Sequence, residues 1–255
     1  MDPSSLPLVS TVLDAAYRAL TNLTHLFEPL LGELAAASVV VVLTLVVRAV
    51  LIPVGVAQAK AEVVRARLAP RLAALGRKHP DDPQALQRAT MQLYADEGTT
   101  PLAGCLPLLV QAPVVGVIYA LFARQEIAGH ANALLGHTLF GTPLGLSLAR
   151  SLGGGLVPTL VVFGVIVGAI VLVGELTRRA SMPGGALAPP AAQNAPVGPL
   201  ATPHVQRVLG VLPFMTAVIA CFVPLAAALY LLVTVTWTLV QRVVLRRRYP
   251  LDSAA

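Results

Sequence analysis

One residue in this chain is in the wrong solvent for its chemistry. Arg48 stands inside an apolar run, Thr44-Leu45-Val46-Val47-Arg48-Ala49-Val50-Leu51-Ile52-Pro53. An arginine at mid-bilayer costs about 2.5–3.5 kcal/mol on insertion scales. It stands five residues before Pro53, about 7 Å of helix at 1.5 Å per residue. That depth leaves two readings open: the side chain snorkels to the headgroups, or it faces a water-filled cavity. A fixed positive charge in such a cavity would hold an anionic or polar group partway across the membrane.

A second set of polar residues sits in other apolar runs. Gln111 lies mid-run between Val110 and Ala112. Tyr230, Thr234, Trp237 and Gln241 recur at helical spacing on one stripe of the last run. Hydroxyls in lipid commonly bond their own helix backbone, so such a stripe either faces the bundle interior or lines a hydrated groove. Covalent chemistry has no support. There is no Ser/His/Asp set, no His-Glu-x-x-His and no intramembrane carboxylate pair, so an enzyme is not expected. His130 and His137 fit loop polarity better than metal ligation, and Cys105 and Cys221 have no metal-ligand neighbours. No cofactor is expected.

The elements that must position these residues follow from composition. Of 255 residues, 56% are hydrophobic and 12% charged, about half the charged share of a soluble domain. A bilayer core takes about 20 apolar residues per helix, and five runs qualify or nearly so: 34–52, 105–123, 156–174, 208–223 and 225–241. The expected fold is an all-α polytopic membrane protein of five transmembrane helices. An N-terminal amphipathic helix (residues 1–33, with Leu13, Tyr17, Leu20, Leu23 and Phe27 on one face) is expected to lie on the outer membrane surface. A cytoplasmic helical hairpin is expected within 54–100, broken at His79-Pro80-Asp81-Asp82-Pro83, where Asp82 suits an N-cap and Pro83 the first helical position. Residues 180–206 read as a flexible linker, and 242–255 as a basic tail. The core is thus 34–241.

The net charge of +6 is explained by topology and not by nucleic acid. Lys60, Arg65, Arg67, Arg71, Arg77, Lys78 and Arg88 follow the first run, and Arg242, Arg246, Arg247 and Arg248 follow the last. The positive-inside rule puts the N-terminus outside and the C-terminus in the cytoplasm of a multi-pass plasma-membrane protein. Anionic lipids are expected beside these basic segments.

The order of these features resembles the YidC/Oxa/Alb insertase superfamily from Leu13 to Arg248. The resemblance rests on Arg48 to Pro53, on Pro70, on the block Tyr94-Ala95-x-x-Gly98-x-x-Pro101-Leu102-x-Gly104-Cys105-Leu106-Pro107-Leu108-Leu109-x-Gln111-x-Pro113, and on Phe222-Val223-Pro224 through Tyr230 to Gln241. Leu231 and Val235 depart from the family pattern, which favours an aromatic and an asparagine there. The resemblance implies a membrane insertase and chaperone without cofactor, with a hydrophilic groove open to cytoplasm and lipid. It implies nascent membrane proteins as clients, and the ribosome and the Sec translocase as partners. The short first loop suggests the Gram-positive form, and the Ala/Arg/Val bias an actinobacterium. The competing reading is a secondary transporter or channel with Arg48 as an anion site. That reading needs interrupted helices or paired repeats, which the sequence lacks.

Overall fold

The computed structural model describes residues 7–80, 82–98, 113, 116–122, 124–127, 130–151, 157–182, 184–188 and 214–250. Its long elements are the helices α1 (Pro7–Leu31), α2 (Ala35–Val50), α3 (Ile52–Lys78), α4 (Pro83–Asp96), α6 (Val157–Ser181) and α7 (Leu225–Arg248), with a one-turn helix α5 at Leu148–Ser151. Residues 116–122 and 214–222 are also helical. The chain divides into two compact units.

The first unit comprises residues 1–50, 111–174 and 214–237. Its core joins Leu13 and Leu20 of α1, Val39 and Val40 of α2, Phe163, Ile166 and Ile170 of α6, and Leu225 and Tyr230 of α7. Alanines 36 and 37 on α2 and 226 and 228 on α7 are almost fully buried. Small side chains let backbones approach closely, the packing that works between helices in lipid. α1 and α2 pack on each other across a 3-10 turn at Gly32–Leu34, where Gly32 takes φ +52°. Only glycine adopts that left-handed geometry without a steric cost.

The expectation of five spans is corrected: among the described residues three segments are long and apolar enough to cross a bilayer, Ser10–Val50, Val157–Ser181 and Leu225–Arg248. The run 105–123 lies outside the described residues up to 112, and the run 208–223 up to 213. Of these two runs the structure describes residues 113, 116–122 and 214–223. The amphipathic surface helix is corrected as well. Leu13 and Leu20 are buried in the same core as the spans, and α1 from Ser10 onward belongs to the first candidate span. Its apolar face has found a protein partner instead of lipid headgroups.

The described residues between 124 and 151 are folded. Antiparallel strands β1 (Glu126–Ile127) and β2 (His130–Ala131) pair Ile127 with His130. Strands β3 (Thr138–Leu139) and β4 (Thr142–Pro143) pair Leu139 with Thr142. Phe140 and Gly141 turn the second ladder with φ +51° and +77°, positive at both central positions as a type I′ turn requires. Asn132 organises the segment. Its Nδ2 donates to the carbonyls of Leu121 (2.5 Å) and Arg124 (2.9 Å), and its Oδ1 accepts from the Leu134 amide at 3.1 Å. The Ala133 amide donates to the Tyr17 hydroxyl on α1 at 3.2 Å.

The second unit comprises residues 51–110, 175–213 and 238–255. A single residue, Leu51, separates α3 from α2, and Pro53 lies in the first turn of α3. Pro53 therefore starts a helix where the sequence suggested it ended a span, because a first-turn proline gives up no hydrogen bond the helix needs. The expected cytoplasmic hairpin within 54–100 is corrected to this arrangement: α3 begins at Ile52, directly after the apolar helix, and runs 27 residues through Pro70. α4 starts where Asp82 accepts from the Ala85 amide at 2.9 Å. Glu97, just past α4, receives Arg67 and Arg71 of α3, the latter at 2.8 Å.

Candidate functional site

Arg48 sits near the C-terminal end of α2. Its Nε is buried and has no hydrogen-bond partner among the described residues. Thr44, one turn earlier, shows the alternative open to a hydroxyl: its Oγ1 donates to the Val40 carbonyl at 2.6 Å.

Tyr230 is the residue brought to Arg48. It is 1% exposed, the largest fully buried side chain described, and its ring lies within electrostatic reach of the guanidinium. Thr234, one helical turn further along α7, interacts with the Tyr230 hydroxyl. Arg48, Tyr230 and Thr234 thus form one polar constellation inside the first unit. Trp237 continues the stripe and is partly buried.

Two of the sequence-derived site residues stand elsewhere. Gln241 belongs to the second unit, where its side-chain amide packs so tightly on Gly55 of α3 that a Cβ there would collide with Gln241 Nε2. Gly55 holds the helices together at that point by lacking a side chain. Gln111 lies outside the described residues.

Sequence reasoning missed how α7 is seated. The amides of Leu225 and Ala226 donate to the carbonyls of Leu146 and Leu144, at 2.9 and 3.1 Å. Helix N-termini leave their first amides without intrahelical partners, and here the folded 124–151 segment supplies carbonyls for two of them. That contact fixes where α7 starts and hence the depth of Tyr230. The only hint in the sequence was Pro224, which cannot donate and so marks the helix start.

In the second unit, basic residues at the end of α7 are held by specific contacts. Arg242 pairs with Glu62 at 3.4 Å. Arg246 Nη2 donates to the carbonyls of Leu187 and Ala188, both at 3.1 Å. Lys60 lies over the Tyr249 ring, 5.9 Å from its centroid. No group of three or more His, Cys, Asp or Glu able to hold a metal ion occurs among the described residues.

Against known families, residues 26–252 match the family described as 60Kd inner membrane protein. The chain belongs to this family. Among curated relatives of the family, the "Membrane protein insertase YidC" of Neisseria meningitidis serogroup C is 46% identical over 89 residues, which is 34% of this chain and 16% of that protein. The protein of the same name from Clostridium perfringens is 29% identical over 136 residues, 49% of this chain and 57% of that protein. That from Bordetella petrii is 39% identical over 101 residues, 39% of this chain and 18% of that protein. The chain therefore spans between 16% and 57% of the length of these curated relatives. The suggested Gram-positive, actinobacterial origin is corrected: relatives from Neisseria and Bordetella match alongside the clostridial one, and composition does not separate these sources. Family membership and the three apolar segments together make this a multi-pass membrane protein.

Proposed function

We propose that the protein is a membrane protein insertase and chaperone that works through a polar recess at Arg48, open to the cytoplasm and to lipid. The observation that carries this reading is the buried Arg48 Nε, without a hydrogen-bond partner among the described residues and within electrostatic reach of Tyr230, in a chain whose matched relatives are named insertases. A positive charge at this depth lowers the barrier for a polar or acidic segment, which otherwise crosses hydrocarbon unaided. Apolar segments then leave sideways into lipid, driven by burial of their own surface. No bond is made or broken, so the activity is not enzymatic and takes no cofactor.

The site is Arg48 with Tyr230, Thr234 and Trp237, and with Gln111 as a further groove residue. The N-terminus is outside and the C-terminus cytoplasmic, with 180–206 a cytoplasmic linker and 242–255 a basic tail. Clients are nascent membrane proteins, with the ribosome and the Sec translocase as partners and anionic lipid beside the basic segments. The test is reconstitution. Full-length protein in liposomes should insert a Sec-independent single-span substrate, and Arg48→Ala should insert less of a substrate with an acidic translocated tail. Liposomes with and without the protein inserting equal amounts would overturn the reading.

A further inference from the structure

The folded segment between residues 124 and 151 carries an anomaly. From Ile127 to Ala149 the sequence contains no Asp, Glu, Lys or Arg, although a water-exposed segment of that length would normally carry several. At its tip, Phe140 is 68% exposed and held at φ +51°. A bulky side chain is rarely found in that left-handed region, where Asn, Asp or Gly is the ordinary occupant. The turn thus spends steric strain to hold an apolar ring out of the protein. Two unfavourable choices at one residue call for a partner that is itself apolar.

The packing says what that partner is. Strand β3, which leads into Phe140, packs on the Gly32–Leu34 turn and on α2. That turn breaks the 41-residue apolar segment Ser10–Val50, which at 1.5 Å per residue is about twice as long as a core of roughly 30 Å, and a break in so long a segment belongs where hydrocarbon passes to headgroups. On the α1 side of the same corner Leu26, Leu30 and Leu31 are exposed, at 69%, 81% and 39%. Val157, the first residue of the spanning helix α6, is also exposed. Meanwhile Leu134 and Leu144 are buried in the core, at 1% and 0%, and Asn132 locks the backbone, so the ladder is a rigid support and not a floating loop. Its remaining polar groups are uncharged, which suits the interface, where a charge would be costly and a neutral dipole is tolerated.

We propose that residues 130–149 form an interfacial membrane element whose Phe140 ring is seated among the upper acyl chains of the leaflet on the side of the Gly32–Leu34 turn. It would fix the height of the 124–151 segment, and through the Leu144 and Leu146 carbonyls the start of α7. Under the orientation proposed above this is the outer leaflet; the lipid contact itself does not depend on insertase activity.

The experiment uses fluorescence depth. Trp237 is the one tryptophan in the chain, so Phe140→Trp in a Trp237→Phe background reports on the tip alone. The full-length variant is reconstituted in vesicles whose lipids carry bromine high or low on the acyl chain. Stronger quenching by the high-bromine lipid, with weak quenching by aqueous iodide, is the expected result. Full iodide quenching without bromolipid quenching would place the tip in water and overturn the proposal. Protection from both quenchers would mean a protein covers it, which also overturns it. As a second measurement, Phe140→Asn keeps a residue suited to the turn while removing the ring. Its melting temperature should equal or exceed that of the parent in detergent and fall below it in vesicles; an equal or higher value in both would count against the lipid contact.

Discussion

Arg48→Met removes the charge from α2 and leaves an unbranched stem that packs in the same space. From Ala35 to Arg48 the helix descends about 20 Å at 1.5 Å per residue, two thirds of a core of about 30 Å. The charge is therefore past the centre, where its cost is somewhat less than the roughly 2.5–3.5 kcal/mol of a central arginine. Its buried Nε lacks a partner among the described residues, a further penalty of about 1–3 kcal/mol, partly included in the first figure. Arg48→Met should accordingly stabilise the folded protein by about 1–3 kcal/mol, or roughly 2–10 °C in melting temperature for a chain of this size. Function should move the opposite way. A guanidinium meeting an incoming carboxylate is worth about 4 kcal/mol gross at 4 Å in an effective dielectric of 20, and about 1.5–3 kcal/mol net as a charged hydrogen bond. Losing it should slow insertion of an acidic-tailed substrate about 10- to 100-fold, since 1.4 kcal/mol is a factor of ten. A neutral-tailed substrate should be nearly indifferent, and Arg48→Lys should keep most of the rate because a field needs charge more than a planar fork. The assay is protease protection of the substrate in proteoliposomes at matched protein content, beside melting curves in detergent. A less stable Arg48→Met that inserts the acidic tail at the parental rate would refute the reasoning on both counts, leaving Arg48 a structural residue.

Three further outcomes are expected. Gly55→Ala should push the Gln241 amide aside at a cost of about 1 kcal/mol and Gly55→Leu at about 3 kcal/mol, with Gln241→Ala relieving the alanine variant in a double-mutant melting experiment. Asn132→Ala strips three hydrogen bonds from a buried site and should destabilise by about 2–4 kcal/mol, seen as faster proteolysis between residues 124 and 151 than in the parent. Glu97→Gln breaks the ion pairs with Arg67 and Arg71, whose side chains are more than half exposed. It should cost less than about 1 kcal/mol, with the difference from the parent vanishing in high salt.

Arg48 and the Tyr230 stripe were legible because a polar residue in an apolar run stands out against the cost of placing it there. The N-cap at Asp82 was legible for a similar reason: a short carboxylate before proline has a local job that needs no distant partner. The fate of α1 was not. Its apolar face at helical spacing fits a membrane surface or a protein core equally well, and only the packing of Leu13 and Leu20 against the spans decides between them. Gln241 shares a stripe with Tyr230 by period alone, yet it packs on Gly55 within the second unit. Period fixes a residue's face on its own helix and is silent on what the next helix presents.

What the sequence determined by itself was the solvent and the inventory: long uncharged runs belong in lipid, their flanks carry the positive residues, and one arginine lies among valines. These follow from transfer energies that are properties of single side chains. The tertiary structure alone decided which buried side chain meets Arg48, where α7 begins and which way Phe140 faces. Each depends on a contact between residues far apart in the chain, such as the Leu225 amide on the Leu146 carbonyl. A backbone amide has the same chemistry at every position, so its partner can be read only from the fold.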